Sequence, residues 1–161
     1  MPATEREGPV TLSVLDRLID QEPERKLEPP LTRSQSLREL KAALRRDLEW
    51  LLNTRQTIEE SPASLKELEH SLYNYGLPDV SSLYLRSSKD QDTLLKAIRA
   101  AISFFEPRLM NIKVTLQPVT GDSRVLRFAI EGLLRMDPAP EPVFFDTMLE
   151  PLSGQYQVKG T

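Results

Sequence analysis

At Pro107 the apolar period of this chain changes from 3.6 residues to 2, and that switch constrains the fold more than any other feature of the sequence. Before it, Leu94, Leu95, Ile98, Ala101, Ile102 and Phe105 recur at the spacing of a helix with one buried face. Ser88 and Gln91 offer a capping box at its start. Pro107 ends it, because a proline pushes the residue ahead of it out of the helical region. After the switch, Met110, Ile112, Val114 and Leu116 alternate with Asn111, Lys113, Thr115 and Gln117, the pattern of a half-buried strand. Residues 121–122 (Gly-Asp) mark a turn. Leu126, Phe128 and Ile130 repeat the alternation, with Gly132 as a candidate bulge. A proline-rich break at 137–142 precedes two further strands, 143–149 and 155–159, around a turn at 153–154. Helices first and strands afterwards predict an α+β fold, with the N-terminal helices packed on one face of a small antiparallel β-sheet.

Upstream, Leu12, Leu15, Leu18 and Ile19 predict a short amphipathic helix over 11–20. Residues 21–34 carry Pro23, Pro29 and Pro30 and cannot be helical throughout, since proline lacks the amide donor and clashes with the preceding turn. Leu37, Leu40, Leu44, Leu48 and Leu51 then form one stripe, and a capping box at Ser36 and Glu39 starts a helix over about 37–54. A shorter helix is expected over 65–73, stopping near Gly76, and a loop over 77–86. The resulting organisation is a disordered terminus at 1–8, a helix and proline-rich linker at 9–35, and an α+β domain at 36–161.

Composition removes whole classes of chemistry. The 161 residues contain no cysteine and a single histidine, His70, so thiolate catalysis, disulfides and multi-histidine metal sites are out of reach. The formal net charge of -3 gives no general attraction to nucleic acid or anionic membrane. No apolar run is long enough to span a bilayer and no signal segment is present, which leads us to expect a soluble cytoplasmic protein. No Walker loop, nucleophile elbow or dinucleotide fingerprint occurs. Glycoside hydrolysis needs two carboxylates across one cleft, and no second acid is marked as a partner for Glu106.

Three segments remain as candidates for recognition. In Phe104-Phe105-Glu106-Pro107-Arg108-Leu109 an acid and a base flank a proline, which fixes their relation on a helix-to-strand corner. Such a pair suits hydrogen bonding to a partner, and the two charges are expected to point outward, with little weight in the domain's own stability. The plain alternative is a helix stop with two solvated charges. Along 46–55, Arg46, Trp50 and Asn53 share one helical side, opposite the leucine stripe. Tryptophan and arginine are the favoured anchors of interfaces. The alternative is that another element covers the indole. Around Tyr75, the sequence Asn-Tyr-Gly-Leu-Pro-Asp reads as a structural turn. The last strand, 155–159, is expected at an open sheet edge able to accept another chain.

These segments, in this order, resemble the TssE family of type VI secretion baseplate wedge proteins, itself related to phage-tail wedge proteins labelled lysozyme-like. The resemblance runs from about residue 8 to 160. It is carried by residues 10–20, 46–55 and 73–79, by Glu106-Pro107-Arg108, by Phe145-Asp146-Thr147 and by Ser153-Gly154-x-Tyr156. It implies a structural subunit without enzymatic activity or cofactor. The implied partners are TssF, TssG and TssK in the baseplate and TssB and TssC in the sheath, for which the sheet would serve as template. It implies no nucleic acid, no small-molecule substrate and no insertion into the membrane, and a cytoplasmic baseplate docked at an inner membrane complex. Glu106, Pro107 and Arg108 match the family's anchoring triplet, and Arg46, Trp50, Asn53, Arg55 and Tyr75 lie in the matching segments as partner-binding candidates. The rival is a peptidoglycan-cleaving hydrolase, disfavoured by the missing second carboxylate and the missing export signal.

Overall fold

A computed structural model of the chain describes residues 10–19, 23–24, 29–57, 64–69, 71–79, 87–118, 125–150 and 153–160. The terminus at 1–8, the turn at 121–122, His70 and most of the loop expected over 77–86 lie outside them. Two compact units divide the chain, Met1–Leu44 and Arg45–Thr161.

In the first unit, helix α1 (Val14–Leu18) starts at Ser13, whose hydroxyl oxygen accepts the Asp16 N–H. Its residues are not buried, and Val14, Leu15, Leu18 and Ile19 all face outward. Helix α2 (Arg33–Asn53) begins a turn before the expected Ser36 cap. Thr32 and Gln35 form the box instead: the Thr32 N–H donates to Gln35 Oε1 at 2.9 Å and the Gln35 N–H to Thr32 Oγ1 at 3.3 Å. Ser36 is a fully buried residue inside the helix, its hydroxyl donating to the Arg33 carbonyl at 3.0 Å and accepting the Val10 N–H at 2.9 Å. Both motifs fit the capping pattern. The one that wins leaves Ser36 free to accept the Val10 N–H from the segment ahead of α1.

In the second unit, the remainder of α2 leads through a bridge to the turn at 71–79. There the Leu77 N–H donates to the Thr54 carbonyl at 2.9 Å and the Gln56 N–H to the Leu77 carbonyl at 2.8 Å. Helix α3 (Lys66–Glu69) and a 3-10 turn (Leu72–Asn74) precede it. Helix α4 (Ser88–Phe105), capped by Ser87, buries Leu94, Ile98, Ala101 and Ile102. Strands β1 (Leu109–Leu116), β2 (Leu126–Leu134), β3 (Glu141–Glu150) and β4 (Gln155–Gly160) form an antiparallel meander in the order β1-β2-β3-β4. Helix α4 packs against β1, and the end of α2 runs along β4. The fold is α+β, as the change of period predicts. Buried Leu48, Leu51, Leu52, Leu94, Ile98 and Ile102 from the helices, and Phe128, Ile130, Phe145, Leu149 and Tyr156 from the sheet, make the core. Each such side chain contributes about 1.5–3 kcal/mol relative to exposure.

Two local irregularities follow from sequence. The bulge expected at Gly132 falls on the strand opposite: pairing shifts between Met110 and Lys113, and Asn111 takes a φ of 53°. Asparagine tolerates that left-handed conformation better than most residues. Pro142 sits inside β3, paired with Leu133. Its nitrogen faces the side that β4 leaves uncovered, since β4 ends opposite Phe145, so no ladder bond is lost.

Two outcomes follow. Gly76 has a φ of 113°, and a Cβ there would lie 2.4 Å from the Thr54 carbonyl oxygen. Gly76→Ala should therefore cost roughly 2–3 kcal/mol in urea denaturation, from strain and displaced backbone together. A cost below that of an ordinary surface change would show that the 54–77 bridge yields easily. The second outcome concerns Tyr156, 2% exposed, whose buried hydroxyl has no hydrogen-bond partner among the described residues. Burial pushes its phenol up to about 12, against a smaller opposite pull from Arg55. The folded state then ionises later than the unfolded one. Stability held below pH about 10 is lost as pH rises toward about 12, by roughly 2 kcal/mol. Tyr156→Phe should flatten that alkaline limb and match or exceed wild-type stability at neutral pH, as read by thermal melts across a pH series.

Candidate functional site

Helix α4 ends because Pro107 cannot continue it. The Glu106 N–H still donates to the Ile102 carbonyl at 2.9 Å, and the Leu109 N–H closes the corner onto the Glu106 carbonyl at 3.1 Å. Within this corner the charges face each other and do not extend away from the domain. Glu106 is buried, at 5% exposure. Arg108 Nε donates to Glu106 Oε1 at 2.6 Å while its Nη2 reaches Glu106 Oε2, a bidentate pair. The same Nη2 donates to Asp47 Oδ2 on α2 at 2.6 Å. The expectation of two outward charges is thus corrected. A carboxylate this buried is held by its own cation, and the pair joins α4, β1 and α2. The hydrogen bond to Glu106 is the largest influence holding the Arg108 guanidinium above its ordinary pKa, and it outweighs the opposite effect of burial.

Asp47 carries the network outward. Its Oδ1 accepts from Arg46 Nε at 3.0 Å and Nη2 at 2.8 Å. The Arg46 guanidinium in turn lies 5.1 Å from the centroid of the Trp50 ring, within range of a cation–π attraction. Trp50 is 55% exposed, so the described residues do not cover it. Tyr75 stands on the inner side of the corner, its ring edge-to-face with Phe105 at 5.2 Å. Burial raises its phenol pKa, and Asp47 and Glu106 add to the rise. The three segments singled out by sequence therefore meet at one place: Arg46 and Trp50 from α2, Tyr75 from the turn, and Glu106 and Arg108 from the corner, with Pro107 exposed at its tip.

Asn53 and Arg55 lie along the β4 side. The Asn53 amide is engaged within the chain: Nδ2 donates to the Tyr156 carbonyl at 2.9 Å, and Oδ1 accepts the Tyr156 N–H at 2.9 Å. Glu49 Oε2 accepts the Val158 N–H at 3.4 Å. The β4 edge expected to be open is thus occupied at both residues, which corrects that reading. Arg55 is exposed, and its Nη2 lies 2.9 Å from the point where a Cβ on Gly154 would stand.

Sequence reasoning missed Asp47 and Glu49. Asp47 had a signal: it follows Leu40 by seven residues and Leu44 by three, and precedes Leu51 by four. An acid beside an apolar stripe needs a buried cation as partner. Glu49 had none, because nothing local reveals that a strand 109 residues away runs beside it.

A groove of about 410 Å³ opens between the turn and α4, lined by Asn74, Gly76, Pro78, Ala97, Ala100 and Phe104 among others. Among the described residues, its lining includes no carboxylate. Among the described residues, no group of His, Cys, Asp and Glu is placed to hold a metal ion, and no helix is long and apolar enough to cross a membrane.

The corner is thus neutralised from within, and it lies beside an exposed Trp50 with the Arg46 guanidinium over its ring. A profile described as baseplate wedge protein gp25 matches residues 38–139, well over half of the chain, and the chain belongs to that family. It is a structural component of a baseplate, made to contact other baseplate subunits. No curated protein and no solved structure matches it.

The brace makes an energetic prediction. Arg108→Ala leaves the Glu106 carboxylate buried and unpaired, and should cost roughly 3 kcal/mol. Arg108→Met combined with Glu106→Leu should cost clearly less than that single change, because no orphan charge remains. Urea denaturation of the two variants checks the order. An Arg108→Ala protein as stable as wild type would mean that the corner stands without its salt bridge.

Proposed function

We propose that this chain is the TssE-like wedge subunit of a type VI secretion baseplate, and that it carries no enzymatic activity. Its role is to join TssF and TssG, with TssK beyond them, to the TssB–TssC sheath, for whose first ring its sheet serves as a template. The assembly is cytoplasmic and docks at an inner membrane complex.

One observation carries the partner surface: the single tryptophan is 55% exposed beneath Arg46, on the same helix turn whose Asp47 grips Arg108. An exposed aromatic ring oriented by a cation and backed by a buried ion pair is pre-organised for docking, which lowers the entropy lost on binding. In this reading Arg46 and Trp50 touch the partner, with Pro107, the outer edge of Arg108 and Arg55 around them. Glu106, Tyr75 and Asn53 hold that surface in shape. The hydrolase alternative is disfavoured: among the described residues the groove lining lacks a carboxylate, and Glu106 is bound by Arg108.

Trp50→Ala should reduce co-purification with TssF and TssG by a hot-spot amount, about 2 kcal/mol or roughly thirtyfold in affinity. The melting temperature of the isolated chain should stay near that of wild type. Undiminished co-purification would remove Trp50 from the interface and with it the central support for this surface.

A further inference from the structure

The outer edge of β4 is met by side chains from the end of α2. In β4 the pairing with β3 aligns Tyr156 with Leu149 and Val158 with Thr147. The N–H and C=O of Tyr156 both bond to Asn53, and the Val158 N–H bonds to Glu49. These groups therefore point away from β3, into the row where a fifth strand would add. Asn53 supplies one donor and one acceptor, as a strand residue would, and stands in for one residue of that missing strand.

The match has a geometric basis. Residues four apart on a helix rise about 6 Å along its axis. Residues two apart on a strand advance about 6.8 Å. A helix running antiparallel to an edge strand can thus set side chains at i and i+4 against successive outward amides. Glu49 and Asn53 do this against Val158 and Tyr156.

We infer that Glu49 and Asn53 form a side-chain guard on the β4 edge, which keeps this sheet from pairing edge to edge with a second copy of the chain. An uncovered edge strand is a ready template for another strand. A second copy is the partner that is always present at equal concentration and with identical edge chemistry. A two-fold pairing of β4 with β4 would use the outward Tyr156 and Val158 groups of each copy, Tyr156 of one opposite Val158 of the other. In that register Gln157 faces its own copy in a non-hydrogen-bonded position, with Cα atoms about 4.5 Å apart, inside the range a disulfide spans. The guard leaves Val158 and Tyr156 no amide to offer such a pair.

The chain contains no cysteine, so Gln157→Cys is a clean reporter. Gln157 is exposed. In the otherwise wild-type chain it should give no disulfide-linked dimer under mild oxidation, and light scattering should return the monomer mass over a concentration series. With Glu49→Ala and Asn53→Ala added, linked dimer should dominate and the mass should rise with concentration. Amide exchange at Tyr156 and Val158 in dilute samples should quicken at least tenfold. If the double change prevents folding, Asn53→Ser alone takes its place, with Val158 still held by Glu49 and a partial shift to dimer expected. The inference is overturned if the folded variant exchanges Tyr156 quickly yet stays monomeric and unlinked. It is equally overturned if Gln157→Cys links as readily with the guard intact.

Discussion

The Arg108 guanidinium is the point on which the second unit turns. It neutralises a nearly buried carboxylate two residues away and reaches 61 residues back to Asp47. Either acid alone would leave a strained account: Glu106 without a cation would be a buried charge, and Asp47 without Arg108 would have only Arg46. With all three in place, the end of α4, the start of β1 and the last turns of α2 are fixed together. The exposed Trp50 inherits that rigidity through Arg46. If that surface is the docking face proposed above, such backing favours binding, because little conformational freedom is left to lose.

Much of this was legible in the sequence, and the reasons differ by element. The change of period at Pro107 located α4, the corner and β1, since a proline after a helical stripe and before an alternating one has few other readings. The four strands were found to within a few residues. The start of α2 lies one turn before the Ser36 cap that the sequence predicts, because Thr32–Gln35 and Ser36–Glu39 both satisfy the capping pattern and Ser36 is engaged by Val10 and the Arg33 carbonyl instead. The bulge was placed opposite its true strand because glycine is the usual marker. Here Asn111 bends, while Gly132, whose Cβ would lie 3.2 Å from the Met110 carbonyl oxygen, gives it room.

The site was legible in its residues and illegible in its sense. Glu106 and Arg108 were singled out as a pair, yet their direction depends on Asp47, which lies far away in the chain. Asn53 shares a helix side with Arg46 and Trp50, as its spacing predicts, but its amide goes to Tyr156. Side-chain types and spacings identify which groups matter. Whether a group serves a neighbour in the same chain or one in another depends on tertiary contacts that no local pattern encodes.

The order in which those contacts can close follows from the meander. Strands β1 to β4 are each joined to the next in sequence, so their pairing is local and needs little chain to be drawn together. The Asn53–Tyr156 bonds, by contrast, close a loop of 103 residues, and loop entropy grows with that separation. The sheet can therefore assemble from its own hairpins, while the helix that seals its last strand arrives from the far end of the chain. During synthesis α2 emerges long before β4 exists to receive it. Because α2 precedes β4 in the chain, the side chains that seal the last strand are already made when that strand emerges to meet them.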